Sequence, residues 1–435
     1  MTIPTNDSGC GWLNIIEPRA ALPKLENSIS CDWLIIGAGY TGLSAARQLA
    51  KLKPNDQIVI IDAQKAAEGA SARNSGYLVD STLNDGHLSA DDLSQYKQKY
   101  ELSLKALLKV KKFVTDYQVD CDWSETGKFH ATALEANEVK LKQFHQTLTD
   151  CGIASTLIEQ QELSHRLGTA FYRMAVHTKG GVMLQPAKLA RAMITALPEN
   201  VTLFENSPVT DIDNTTTIAT VTTAKGQIKA NNLLICANGF LPSLGVQKNR
   251  AFPLSLTASL TRPLTDSEYA ELGNPEPWGL LSAQAMGATV RLTKDKRIMV
   301  RNTAEAISKI NLTSQEINKR VKIHQQGLYS RFPSLPENIF EHSWAGVTCI
   351  SGNSANIFTQ LSKNCWAAGC YNGGGIGLAT HFGEQLAYYA VGEDSADIKQ
   401  ILERPKPNWL PPNPALRWGV KMRLAKDRFY AKRER

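Results

Sequence analysis

The chain has 435 residues, 43% of them apolar and 20% charged, with 48 Lys and Arg against 41 Asp and Glu and a net charge of +7. This is ordinary usage for a folded protein of one large domain or two smaller ones, and it excludes disorder, a collagen-like repeat and a disulfide-stapled miniprotein. From Asn413 onward stand eight basic residues (Arg417, Lys421, Arg423, Lys426, Arg428, Lys432, Arg433, Arg435) and two acidic ones (Asp427, Glu434), so the tail carries an excess of six and the body is nearly neutral. That distribution argues against a nucleic-acid groove.

The first residues, MTIPTNDSGCGW, lack the basic start and apolar run of a secretory signal. No stretch approaches the roughly 18–20 apolar residues that cross a bilayer, and the eight cysteines contain no CxxC pair and read as reduced thiols. A cytoplasmic protein is expected. In chain order, CDWLII at 31–36 predicts a strand, GAGYTG a turn, LSAARQLAKL a helix and QIVIID at 57–62 a second strand, together a βαβ unit. Asp91 to Tyr117 reads as one long structural helix with Leu104, Leu107, Leu108, Val110, Phe113 and Val114 near helical spacing. PAKLARAMITAL predicts another helix, with Pro186 at its first position. Strands follow at VTLFE, PVTDID, TIATVTT and NLLICANG, strands and loops over 250–300, a helix over 314–331, strands at HSWAGVTCI and CWAAGC, and a helix from about Ile376 to Val391. PKPNWLPPNP at 405–414 reads as a stiff extended linker.

Alternating βα text at both ends with mixed text between predicts an α/β fold: a Rossmann-like nucleotide-binding domain built from 30–90, 180–250 and 343–400, interrupted by an α+β domain on a mixed sheet from 91–179 and 251–342. Residues 401–435 form the linker and basic tail. Gly37, Gly39 and Gly42 supply GxGxxG between strand and helix, and Asp62 stands 20 residues on at the end of the second strand. Such a turn brings backbone close to a pyrophosphate, and the helix N-terminus and the acid suit phosphate and ribose. These features leave NAD and FAD open. GASARNSG at 69–76, with Ser71, Arg73 and Asn74, is a second small-residue turn, of the kind a longer flavin needs.

IIGAGYTGLSAARQLA, GASARNSGYLV, GGVMLQPAKLARAM, LLICANGFLPSLG and WAAGCYNGGGIGLATHFGEQLA run in one order across most of the chain. In these stretches the sequence resembles the D-amino acid oxidase superfamily of FAD-dependent oxidoreductases, in the branch of γ-glutamylputrescine oxidoreductase, glycine oxidase and sarcosine oxidase. The resemblance implies FAD, with Gly37, Gly39, Thr41 and Gly42 at the pyrophosphate, Asp62 at the ribose, and Ser71, Arg73 and Asn74 on the phosphate and flavin side. Their neighbours Ala38, Tyr40, Ala63 and Ser75 belong to the same set. Val209 would offer its backbone to the adenine, Ala237, Asn238 and Gly239 would form a turn beneath the cofactor, and Gly373, Gly374, Gly375 and Ile376 would bring a helix N-terminus to the flavin pyrimidine ring. There a helix dipole stabilises the anionic reduced ring.

Three departures stand against that pattern. Thr348 replaces the Arg that anchors a substrate carboxylate in the glycine oxidase branch and the Cys that links flavin covalently in monomeric sarcosine oxidase, so non-covalent FAD is expected. Cys349, one residue along a strand, faces the other way. Arg301-Asn302 stands where relatives have two small residues, and Arg301 either grips a carboxylate or is an ordinary strand arginine in a salt bridge. Gly374 replaces a common His. Arg301, with Trp344 and Tyr371 as pocket walls, makes up the candidate catalytic set.

The implied reaction is hydride transfer from an amine-bearing carbon to flavin N5, followed by imine hydrolysis, with a primary or secondary amine or amino acid as substrate and oxygen as acceptor. No metal is expected: the sequence has no HExxH, Walker A, GxSxG or ligand cluster, and its eight scattered histidines read as structural. Two other readings remain. One is a dehydrogenase that passes electrons to a membrane quinone, prompted by Leu416, Trp418, Val420, Met422, Leu424 and Phe429 interleaved with basic residues. The other is a flavoprotein acting on a protein partner.

Overall fold

The computed structural model describes residues 7–81, 93–305 and 312–435. β1 (Ile29–Ile36) is the apolar run expected near 31–36, and its last four residues are all buried. It pairs in parallel with β2 (Ile58–Ile61) and β11 (Gln227–Ile235), and the sheet continues to β8 (Val201–Phe204) on one side and to β18 (Cys365–Gly369) and β17 (Ile357–Ser362) on the other. β9 (Val209–Asp213) and β10 (Ala219–Thr223) extend β11 as an antiparallel flap. Alternation divides the core: Trp33 and Ile35 join the cluster under the helices, whereas Leu34 and Ile36 join the one under the flap.

The helical face is covered by α2 (Tyr40–Leu52), α4 (Leu93–Asp116), α7 (Pro186–Thr195) and α10 (Gly375–Ala390). On α4, Leu102, Leu107, Val110 and Phe113 are buried, but Leu108 turns to solvent. Pro186 is the first residue of α7, and the Gln185 side chain caps it by accepting the Lys188 N–H at 2.9 Å.

A second eight-stranded sheet runs β16 (Phe340–Ser351), β12 (Ala251–Thr261), β15 (Ile298–Glu305), β14 (Thr289–Leu292), β13 (Trp278–Ser282), β4 (Lys128–Thr132), β6 (Met174–Thr178) and β5 (Ser155–Glu159). α5 (Glu138–Asp150), α6 (Gln160–Leu167) and α9 (Ser314–Arg331) bury Phe144, Leu163 and Leu328 against it. α8 (Asp266–Glu271) and α9 each open with a capping box, Thr265 with Glu268 and Thr313 with Glu316. A boundary between 342 and 343 falls inside β16, which pairs with β12 along its whole length.

Short elements join the two layers: α1 (Gly11–Asn14), α3 (Ala70–Arg73) and the ribbon of β3 (Tyr77–Leu78) with β7 (Val182–Met183). After α11 (Ala396–Leu402) the proline-rich segment is not a free spacer. The Arg250 guanidinium donates to Pro407 O at 2.7 Å, and the Leu410 N–H donates to Asn249 O at 2.7 Å. The tail then forms α12 (Ala415–Tyr430), which buries Leu424. Among the described residues, no helix is long and apolar enough to cross a membrane.

Candidate active site

β1 delivers the chain to Gly37, whose φ of +105° and lack of Cβ are both required, since a Cβ there would lie 2.8 Å from Cys236 O. Gly42 lets α2 settle on that turn, because a Cβ would fall 1.9 Å from Gly37 O. The first-turn amides of α2 have no partner one turn back, and Ser71 Oγ accepts one of them, the Tyr40 N–H, at 3.0 Å. Facing this turn, Asp62 Oδ2 accepts the Ala38 N–H at 2.8 Å and Oδ1 accepts the Gln64 N–H at 2.9 Å. Burial pushes its carboxyl up to about 6; the two amide bonds oppose that rise and nearby Glu205 adds to it. At the far end, Gly373 and Gly375 precede and open α10, and a Cβ on either would meet nothing within 4 Å.

These parts surround one cavity of about 570 Å³. Gly37, Gly39, Tyr40, Thr41, Asp62, Ala63, Ser71, Arg73, Asn74, Ser75, Val209, Ala237, Asn238, Gly239, Gly373, Gly374, Gly375 and Ile376 line it, as do Arg301, Trp344 and Tyr371. Ala38 and Gly42 do not: one holds Asp62 and the other seats the helix. The second sheet closes the opposite side with Leu254, Leu256, Met286, Thr289 and Ala304.

Several expected side chains are committed elsewhere. Arg73 donates from Nη1 to Asp7 Oδ2 at 2.9 Å and to Ala345 O at 3.0 Å, and from Nε to Glu68 O at 3.0 Å, so its guanidinium ties the N-terminal segment to β16. Asn74 closes its own turn, donating to Ala70 O and Ser71 O and accepting the Gly76 N–H. Tyr371 OH lies 2.7 Å from Thr41 Oγ1, which sets it at the dinucleotide turn, and burial raises its phenol well above the usual range. Trp344 donates its indole N–H to Arg73 O at 3.0 Å and packs edge-on against Trp12, so as a pocket wall it is also core. Thr348 is on the lining and Cys349 is buried under the flap, as strand alternation requires.

Arg301 differs. It projects from β15 beside β14, and Nη2 donates to Thr289 Oγ1 at 2.5 Å. Among the described residues it forms no salt bridge, Glu305 of the same strand pairing with Arg320 instead, and burial lowers its pKa, against the influence of Tyr77. The sequence reading missed Asp7 and the apolar wall from β12, since neither falls in a motif.

A parallel βαβ unit with an open glycine turn, an acid facing that turn and a second glycine-lined helix N-terminus across one cavity fit an extended dinucleotide, and they define a dinucleotide-dependent enzyme. Residues 32–389 match the FAD dependent oxidoreductase (DAO) family, and the chain belongs to it. Its cofactor is FAD. Gamma-glutamylputrescine oxidoreductase of Escherichia coli (strain K12) is 24% identical over 388 residues, covering 84% of this chain and 85% of that protein. Among solved structures, glycine oxidase from Geobacillus kaustophilus superposes with a TM-score of 0.70 at 16% identity, over 84% of this chain and 96% of that one. L-amino acid deaminase from Proteus vulgaris gives 0.69 at 15% identity, over 90% and 100%.

Proposed function

We propose that this FAD-dependent oxidoreductase oxidises a primary or secondary amine that carries a carboxylate, at the carbon bearing nitrogen, with non-covalent FAD. Bound FAD supplies a two-electron acceptor for that hydride. The carrying observation is Arg301, a cation on the lining of a largely apolar cavity with no acidic partner among the described residues. A guanidinium so placed favours a planar anion, which it can grip through two parallel hydrogen bonds. It would take over the anchoring role that Thr348 cannot fill. The names of the relatives, an oxidoreductase of a γ-glutamyl amine, a glycine oxidase and an amino acid deaminase, favour the same substrate class.

In this reading the chain's own residues bind and orient. The amides at the start of α2 and Asp62 hold the two halves of the dinucleotide, and the open N-terminus of α10 offers N–H groups and a positive dipole end to a negative ring edge. Leu254, Leu256, Met286 and Ala304 exclude water from the reacting carbon, and Arg301 fixes the substrate's far end. The test is anaerobic mixing of the flavoprotein with a panel of amines and amino acids, followed through the flavin band near ~450 nm. Rapid bleaching by a carboxylated amine is expected; bleaching by none of the panel would sink the proposal and favour a protein-borne substrate. Repeating the panel with oxygen or a quinone identifies the acceptor.

A further inference from the structure

The inner and outer faces of α12 carry different messages. At 100° per residue, Val420, Leu424 and Ala431 fall within about 40° of one another, and they pack on Met286 and Ala304 with Leu254 and Leu256 beside them. On the opposite side Trp418, Met422 and Phe429 also fall within about 40°, and they are 66%, 71% and 75% exposed. Exposed Lys421 and Lys426 flank this ridge, with Lys432 and Arg433 just beyond its end. The only acid from 415 to 433 is Asp427, which is held by Arg423 at 2.9 Å away from the ridge.

Three large apolar side chains aligned on the solvent face of a docked helix are unfavourable in water, and the core beneath gains nothing from them. Aromatic and Met side chains between long cations match the boundary of a bilayer, where rings enter the acyl edge and Lys and Arg reach anionic headgroups. We propose that the outer face of α12 docks the protein on anionic lipid. The helix is already fixed for this. Glu434 is fully buried, accepts the Ala133 N–H at 2.9 Å and the hydroxyls of Thr132 and Ser282, and its backbone carbonyl accepts from Arg331 at 2.8 Å. Little ordering entropy therefore opposes docking. Since Leu254, Leu256, Met286 and Ala304 also line the cavity, a docked molecule holds that wall next to the bilayer.

The experiment is co-sedimentation of the full-length flavoprotein with vesicles of phosphatidylcholine alone or with about one-third phosphatidylserine, near the surface charge of a cytoplasmic leaflet. Binding is expected only to the anionic vesicles and should weaken with added salt. Lys421→Glu, Lys426→Glu and Lys432→Glu together should lower it by roughly a hundredfold or more. Trp418→Ser, Met422→Ser and Phe429→Ser together should abolish it, with flavin content and melting temperature unchanged because these side chains lie outside the cluster beneath the helix. No binding to anionic vesicles, or full binding by either triple variant, would overturn the proposal. So would self-association removed by the triple serine variant, which would mark the ridge as a contact between copies.

Discussion

Burial governs Asp62. Its folded pKa of about 6 stands above the ordinary 3.8, so over that interval the folded chain holds a proton that the unfolded chain releases. Its contribution to stability is therefore full below about pH 4 and is lost as pH rises through about 6. Asp62→Asn should flatten this slope in FAD-stripped protein, read by denaturant titration between pH 4 and 7, and should weaken FAD binding by about ten- to a hundredfold through loss of a charged acceptor. An unchanged slope would place the pH dependence in another group. Arg301 makes the complementary prediction. Arg301→Ala should raise KM for a carboxylated amine by an amount worth about 2–4 kcal/mol while leaving that for an uncharged amine nearly untouched. Equal effects on both would return Arg301 to a structural part.

At the scale of elements, two glycines should respond differently to an added methyl. A methyl on Gly42 collides with the Gly37 carbonyl, whereas one on Gly375 enters open cavity. Gly42→Ala should cost about 1–3 kcal/mol of stability, and Gly375→Ala should leave the melting temperature of the FAD-stripped protein near that of the parent while lowering flavin occupancy. Equal losses of stability would contradict this division of labour. The βαβ unit was legible because the last four residues of β1 and all of β2 are buried on both faces and so read as unbroken apolar text, WLII and IVII. β4, β5 and β6 were not. β4 is buried throughout yet reads Lys-Phe-His-Ala-Thr. Two of its polar side chains find partners remote in sequence, Lys128 in Asp80 at 2.5 Å and Thr132 in Glu434, and a local pattern carries no sign of them. The bonds of Arg73 were illegible for the same reason, its partners Asp7 and Ala345 lying 66 residues upstream and 272 downstream.

At the scale of the molecule, the two sheets meet along β16, which is paired in one and near its C-terminal end sets Cys349 in the core of the other, so the cavity is a joint product of both layers. The excess charge ends as a helix clasped to the second sheet, and Glu434 is its pin. Three donors converge on that carboxylate from Thr132, Ala133 and Ser282, while Arg331, itself buried over Phe171, holds the backbone carbonyls of Glu434 and Arg435. Glu434→Ala would leave the Ala133 N–H and the Ser282 hydroxyl buried without an acceptor, each worth about 1–3 kcal/mol, and the Thr132 hydroxyl with only Leu134 O at 3.3 Å. The body should then keep its FAD, since none of these groups touches the dinucleotide turn, but α12 should come loose. Trypsin, which meets exposed Lys421, Arg423 and Lys426 in the docked helix, should cut there many times faster in the variant than in the parent at equal flavin content. Unaltered cleavage would mean that the apolar contact of Leu424 and Ala431 alone holds the tail.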